Sequence, residues 1–195
     1  MGVDKDLYKY AWFGNAAISS STQVQAADGW FTDFDADSCI EKVAISTTGT
    51  LATDEASSIL KSTYEAQEIM HQLEENQKAF LVTSSIYNNL MDTYENNATD
   101  SGLAKLAEGG ALTYRGIPVL RQSIWGVTIA SLGLSDPHRV VYTKTENLVI
   151  GTNITVDPMN QGKVLYDEKD ETYGIKSRFD FGTQYEFCEY MVYAR

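Results

Sequence analysis

The sequence predicts an α+β protein in which a terminal antiparallel sheet packs against one long helix. Three observations predict it. First, Thr53–Asn76 carries small or apolar side chains at Ala56, Ile59, Thr63, Ala66, Met70 and Leu73. These steps of three and four put the side chains on one helix face, which Leu60 and Ile69 widen. Second, the segment before it is rich in Ser, Thr and Gly, without a helical period. Third, the segment after it alternates short β-branched or aromatic runs with turn residues, ending in an aromatic tail.

The helix is expected to be continuous. Thr53 is positioned to cap it, because a hydroxyl can accept a first-turn N–H, and Asp54 and Glu55 suit the helix dipole. Its length would be roughly 35 Å at about 1.5 Å per residue, long beside the usual helix of about 11–12 residues. Taken alone, such a stretch reads most simply as an ordinary amphipathic core helix.

The remaining elements follow in order. Residues 6–14, DLYKYAWFG, read as a short strand ended by Gly14, and the Ser/Thr/Gln-rich residues 16–29 as a loop. Asp35 or Asp37 is placed to cap a short helix within the segment holding Phe34, Cys39, Val43 and Ile45. Lys78–Ser84 is a compact apolar run, a buried strand. Ser84 or Ser85 then caps a helix with Ile86, Leu90, Met91 and Tyr94 on one face. SGLAKLAEGG reads as a loop with a helical turn. Leu112 and Tyr114 lead to a turn at Arg115-Gly116 and a strand through Ile117, Val119 and Leu120, where Pro118 suits an edge position. A short helix is expected at Ser123–Ala130, strands at Val140–Tyr142 and Leu148–Ile150, and a turn at Lys144–Asn147. Val164 and Tyr166 precede an acidic turn, and Ile175, Phe179 and Phe181 line a strand. Tyr185, Phe187, Tyr190, Val192 and Tyr193 form the last strand.

A chain of 195 residues holds one large domain or two small ones, and a hydrophobic fraction of 43% supports a packed core. No apolar run approaches the roughly 18 residues of a membrane span. The N-terminus lacks the basic start and apolar stretch of a signal peptide. Met1-Gly2 is not a myristoylation signal, since Asp6 stands where Ser or Thr is required. The net charge of −12, with scattered basic residues, argues against phosphate-backbone binding. Cys39 and Cys188 are expected to be reduced, buried thiols of a cytosolic product.

Motifs that carry chemistry are missing from the sequence. His71 has no second ligand at helical spacing, and His138 in Asp-Pro-His-Arg reads as a turn anchor. The run Asp167-Glu168-Lys169-Asp170-Glu171 lacks the glycine and ligand spacing of a calcium loop and reads as a solvated turn. Gly109-Gly110 is no phosphate loop, and GxSxG is absent. No catalytic, cofactor-binding or metal-binding residue is assigned, and no cofactor is expected.

The order of the later segments is itself distinctive. It runs KAFLVTS, IYNNLMDTYEN, LTYRGIPVLRQSIW, DPHRVVYTKTENLVIGTN and YDEKDETYGIKSRFDFGTQYEFCEYMVYA. It resembles the major capsid proteins of tailed phages, the Hong Kong 97-type coat fold, above all those of Bacteroidetes phages and prophages. The phrases carrying the resemblance are Tyr114-Arg115-Gly116-Ile117-Pro118-Val119 and Asn147-Leu148-Val149-Ile150-Gly151, with YKYAWFG near the N-terminus. It covers residues 54–195 reasonably and 1–53 weakly. It implies a peripheral domain of residues 1–77 and 154–195, with Thr53–Asn76 as the spine helix on an antiparallel sheet. It also implies an inserted mixed α/β axial domain at 78–153. The extended N-terminal arm and long hairpin that clamp neighbouring subunits have no clear counterpart; either they lie upstream and were removed, or residues 1–53 replace them. The lysine of self-crosslinking relatives lies on that hairpin, so no crosslinking residue is carried over.

The resemblance implies a structural coat protein, or a truncated version of one, that self-assembles into an icosahedral shell around phage DNA. It implies pentamers and hexamers, contacts with other virion proteins, and residence in the virion after the bacterial host cytoplasm. It implies no enzyme activity, no sequence-specific nucleic-acid contact and no membrane partner. The alternatives are an encapsulin-like compartment shell and an acidic hydrolase with two carboxylates facing across a cleft.

Overall fold

The computed structural model describes residues 3–17, 27–96, 112–152, 163–167, 172–176 and 181–195. Its centre is a sheet of β1 (Glu41–Val43), β2 (Lys78–Thr83), β3 (Thr113–Tyr114), β4 (Ile117–Gln122), β5 (Val140–Lys144) and β10 (Met191–Ala194). Their spatial order is β1-β10-β5-β2-β4-β3. The expected terminal antiparallel sheet is not separate, since β10 joins a mixed sheet: β1 with β10 and β2 with β4 pair in parallel, while β5 is antiparallel to both its neighbours. Two antiparallel ribbons lie apart from it, β6 (Leu148–Thr152) with β9 (Phe181–Tyr185), and β7 (Lys163–Asp167) with β8 (Thr172–Lys176).

Helices cover both faces of the sheet, because its central strands carry apolar residues at nearly every position. Side chains alternate sides along a strand. Val140, Tyr142, Val192, Ala194, Phe80 and Val82 therefore point to one core, and Val141, Met191 and Tyr193 to the other. The first core is covered by α3 (Glu55–Glu65) and α4 (Ser84–Asn96), through Ala56, Ile59, Leu60, Ile86 and Leu90. The second is covered by α1 (Val3–Phe13), α2 (Trp30–Ala36) and α5 (Ser123–Leu132), through Trp12, Trp30, Phe31, Phe34 and Trp125. The result is a three-layer α/β/α arrangement.

The long helix is the main correction. The α-helix stops at Glu65 and is followed by 3-10 turns at Glu68–Gln72 and Glu75–Gln77. Side chains capture the carbonyls that a continuing helix needs. The His71 ring stacks on Tyr64, centroids 4.5 Å apart, and its Nε2 lies 3.0 Å from the Tyr64 carbonyl oxygen. Lys78 Nζ donates to the Met70 carbonyl at 3.2 Å. Thr53 is not the cap either. Asp54 takes the N-cap position with φ of 63°, and Asn89 of α4 accepts the Ala56 N–H at 3.0 Å while donating to the Ala52 carbonyl at 2.8 Å. Glu55 reaches back to the Ala52 N–H and the Thr47 hydroxyl. The cap came from a residue over thirty positions away, which no local pattern reveals.

The predicted strand at residues 6–14 is α1. Tyr8, Ala11 and Trp12 stand at helical spacing, and Trp12 packs against Trp30 and Trp125 at 4.6 Å in each case. Asp35 and Asp37 fall inside and at the end of α2 rather than capping its start; Gly29 holds the N-cap. The two helices meet at Gly14 and Gly29, whose N–H groups bond to the Tyr10 and Gly14 carbonyls at 2.9 Å. A Cβ at Gly14 would sit 2.3 Å from the Ala27 carbonyl oxygen, so neither a turn nor this junction tolerates a side chain there.

Other elements match their expected places. β2, α4, the strands at Val140 and Leu148 and the helix at Ser123 are present. Arg115 and Gly116 have φ of 51° and 83°, forming the tight β3–β4 hairpin turn. Pro118 lies in β4 opposite Thr113 of the short outermost strand. The expected last strand divides into β9, a 3-10 turn at Cys188–Tyr190 and β10. The SGLAKLAEGG loop, most of the 16–29 loop, Phe179 and most of the acidic turn lie outside the described residues.

The cysteines are paired, not free: Cys39 and Cys188 form a disulfide with Cα atoms 5.7 Å apart. Cys39 precedes β1 by two residues and Cys188 precedes β10 by three, and the two strands run in parallel. That pairing, made across 149 residues, puts the two sulfurs side by side.

Candidate functional site

Three clusters have side chains capable of chemistry. The first joins the start of α4 to the loop before β5. Ser85 Oγ lies 2.7 Å from His138 Nδ1, and His138 Nε2 lies 2.6 Å from the Gly49 carbonyl oxygen. A carbonyl can only accept, so Nε2 carries the proton and Nδ1 accepts the Ser85 hydroxyl. Thr83 Oγ1 lies 3.2 Å from the same hydroxyl. A serine on a histidine base is the first half of a nucleophilic site. Here, however, His138 is buried and bonded at both nitrogens, and neither cavity described below is lined by Ser85 or His138. The pair ties the 44–53 segment to the sheet.

The second cluster lines a cavity of about 250 Å³ on the aromatic side, with Phe13, Phe31, Leu132 and Leu134 as walls. Its charges are Asp35, Asp136, Arg139 and Arg195. Arg195 Nη1 lies 2.9 Å from Asp35 Oδ2 and 3.9 Å from Asp136 Oδ2. Arg139 is buried, its guanidinium 4.6 Å above the Phe31 ring, and its Nε donates to the Asp136 carbonyl at 3.4 Å. Burial pushes the Asp35 carboxyl up, and the Arg195 and Arg139 guanidiniums oppose that shift. Burial also pushes the Tyr193 hydroxyl up. Two carboxylates and two guanidiniums balance here, which suits a structural charge network.

The third is an open groove of about 290 Å³ between the start of α3 and the end of α4, lined by Thr53, Asp54, Asn89, Asp92 and Glu95 among others. Its three carboxylates are exposed. A catalytic acid needs a desolvated carboxyl, and this groove does not supply that environment.

Among the described residues no three His, Cys, Asp or Glu side chains gather to hold a metal ion. No helix there is long and apolar enough to cross a membrane. His71 is engaged with Tyr64, stacked on its ring and bonded to its carbonyl. His138, expected to anchor a turn, lies in the irregular segment before β5 and bridges Ser85 and the Gly49 carbonyl instead, partners that Asp-Pro-His-Arg does not reveal.

The two phrases that carry the family resemblance are both structural devices. Arg115 lies 4.8 Å over the Tyr64 ring and 3.9 Å from Glu65, pinning the β3–β4 hairpin to the end of α3. Asn147 is fully buried. Its Oδ1 accepts the Phe187 N–H at 2.7 Å, and its Nδ2 donates to the Phe187 carbonyl at 2.9 Å and to Thr143 Oγ1 at 3.2 Å. One amide thus locks the β5–β6 turn to the approach to β10.

No family model matches the chain, and no curated protein matches it. Solved structures do. The fold is of the capsid-like class, a six-stranded sheet with five helices among the described residues. A chain from the satellite phage P4 procapsid including size determination (Sid) protein aligns with a TM-score of 0.59 at 13% identity, covering 98% of this chain and 62% of that one. A chain from Mycobacterium phage Che8 aligns with a TM-score of 0.56 at 12% identity, covering 80% of this chain and 54% of that one. At these identities the likeness is one of fold. The chain spans between 54% and 62% of the length of these two neighbours.

Proposed function

We infer that this chain is a major capsid protein of a tailed phage or prophage, or a truncated version of one. In this reading it forms an icosahedral shell around phage DNA by self-assembly into pentamers and hexamers. The single observation that carries the reading is the alignment of 98% of the chain with the P4 procapsid chain. The Hong Kong 97-type coat and the Bacteroidetes relationship are supported by the Tyr114–Val119 and Asn147–Gly151 phrases, each of which sits at a structural joint. The chain is not an enzyme in this reading. Its partners are further copies of itself and other virion proteins, and it resides in the host cytoplasm until assembly.

Residues 78–153 would form the axial unit and residues 1–77 with 154–195 the peripheral one, joined where β10 pairs with β5. The spine role would fall to α3 and the 3-10 turns after it. A net charge of −12 keeps direct DNA binding out of the reading.

Negative-stain imaging of the complete gene product tests it. Closed, uniform shells are expected, and a monodisperse monomer under all assembly conditions would overturn it. The 195-residue chain alone is expected to remain a monomer or small oligomer at micromolar concentration, checked by light scattering.

A further inference from the structure

We propose that the Cys39–Cys188 disulfide is a reversible redox latch on the β1 edge of the sheet, closed after folding and released by thiol reductants. The proposal rests on where the bond lies. Cys39 is exposed and Cys188 half-buried, so a dithiol can reach the bond without unfolding the protein. The strand that it secures, β1, is three residues long with two exposed side chains and lies at the end of the sheet order. A strand this short, paired on one side only, depends on other anchors for its place.

Contacts independent of the bond already hold the two sulfurs together. Asp37 Oδ1 accepts the Cys39 N–H at 2.8 Å, while Asp37 Oδ2 accepts the Tyr185 hydroxyl at 2.5 Å. Tyr185 lies on β9, three residues before Cys188, and its ring packs on Phe34 of α2 at 5.8 Å. Beyond the latch, Ile40 is buried in the aromatic core, and the Ile45 N–H bonds to the Arg195 carbonyl at 2.6 Å. The folded chain therefore presents two thiols at bonding separation before any oxidant acts. Oxidation forms one S–S bond and removes two protons and two electrons, taken by a disulfide or other thiol oxidant. Reduction by two equivalents of a monothiol, or one of a dithiol, returns both thiols and yields the oxidised reductant.

This chemistry resolves the conflict between a chain read as cytosolic and a structure holding a disulfide. A reducing compartment keeps the latch open, and an oxidising one closes it. Because the bond closes a loop of 149 residues, it restricts the unfolded chain strongly.

The test compares the oxidised protein, the same protein reduced in place with dithiothreitol, and the Cys39→Ser/Cys188→Ser variant. Native mass spectrometry and thiol alkylation report the bond, hydrogen exchange reports local opening, and thermal unfolding reports stability. Reduction is expected to raise exchange at 39–45 and 187–191 while β2 and β5 stay protected, and to lower Tm by roughly 5–15 °C. The variant should match the reduced protein and ignore dithiothreitol. Removing the reductant should restore the bond in folded protein, and Asp37→Ala should slow that return several-fold. An unchanged exchange pattern and Tm on reduction would overturn the proposal. So would global unfolding on reduction, which would make the bond a requirement for the fold rather than a latch.

Discussion

The two faces of the central sheet are built from different materials. One is mainly aliphatic: around a stacked Phe80–Tyr142 pair, Ile59, Leu60, Ile86, Leu90, Val82, Val119 and Val192 pack beneath α3 and α4. The other is aromatic: Trp12, Trp30, Phe31, Phe34, Trp125 and Tyr193 stack and tilt against one another beneath α1, α2 and α5. Along the aliphatic face, helices and strands that are near one another in sequence supply much of the packing. The aromatic face draws on the first forty residues, α5 and the final strand. Both faces hold buried polar atoms without a hydrogen bond, Trp125 Nε1 and the Tyr193 hydroxyl on the aromatic side and the Tyr142 hydroxyl on the other. Large rings give the aromatic layer its buried area, at the cost of polar atoms that some positions do not satisfy.

The comparison is sharpened first on the aromatic side. Trp125→Ala should cost about 3–5 kcal/mol, the largest single effect, because it empties the ring cluster that joins α1, α2 and α5. Urea unfolding followed by circular dichroism measures it. On the aliphatic side Leu60→Ala, fully buried, should cost about 2–5 kcal/mol. Leu73→Ala should cost less, since Leu73 lies beyond the end of α3 and is only partly buried. The exposed neighbours Lys61 and Glu68 should change stability by under about 0.5 kcal/mol when replaced by Ala. Equal effects across these four positions would mean that α3 does not cover the sheet.

Asn147 tests the polar joint between the faces. Asn147→Ala leaves the Phe187 N–H and carbonyl without their partner, which should cost about 1–3 kcal/mol. The same denaturation measurement checks it, with Asn147→Asp as the variant that keeps the acceptor and loses the donor.

The smallest effect is with pH. The Tyr185 hydroxyl and the Cys39 N–H hold the Asp37 carboxyl below the usual carboxylate range, and the Thr47 hydroxyl and Ala52 N–H do the same for Glu55. A depressed carboxyl stabilises the fold above its unfolded value, and that contribution is lost as pH falls through the folded value. Asp35 and Asp33, raised chiefly by burial, act in the opposite sense. Stability should therefore fall below about pH 4, and Asp37→Asn should flatten that fall. A wild-type profile matching the Asn variant throughout would remove Asp37 from the account.

How far the sequence was legible follows the same division. β2, α4, the Arg115-Gly116 turn and the strands at Val140 and Leu148 were readable, because each is a local pattern closed by local punctuation. The aromatic layer was not. YAWF is a short apolar run, and a strand and a helix look alike over four residues; only the packing of Trp12 on Trp30 and Trp125 decides it. The end of α3 is not legible, because its period continues through Met70 and Leu73, while His71 and Lys78 take the backbone carbonyls that continuation requires. The Cys39–Cys188 bond depends on parallel pairing across 149 residues. None of the candidate clusters was visible, because His138 with Ser85 and Gly49, and Arg139 and Arg195 with Asp35 and Asp136, meet through tertiary contacts.

Hydrogen exchange over the whole oxidised chain tests most directly the central claim, a single sheet covered on both faces. β2 and β5 lie mid-sheet beneath helices on either side, so their amides should exchange slowest. α1 and α2 should be protected to a degree comparable with α3 and α4. If α1 and α2 exchange like free peptide while β2 and β5 remain protected, the aromatic layer is not part of the fold and the three-layer account is wrong.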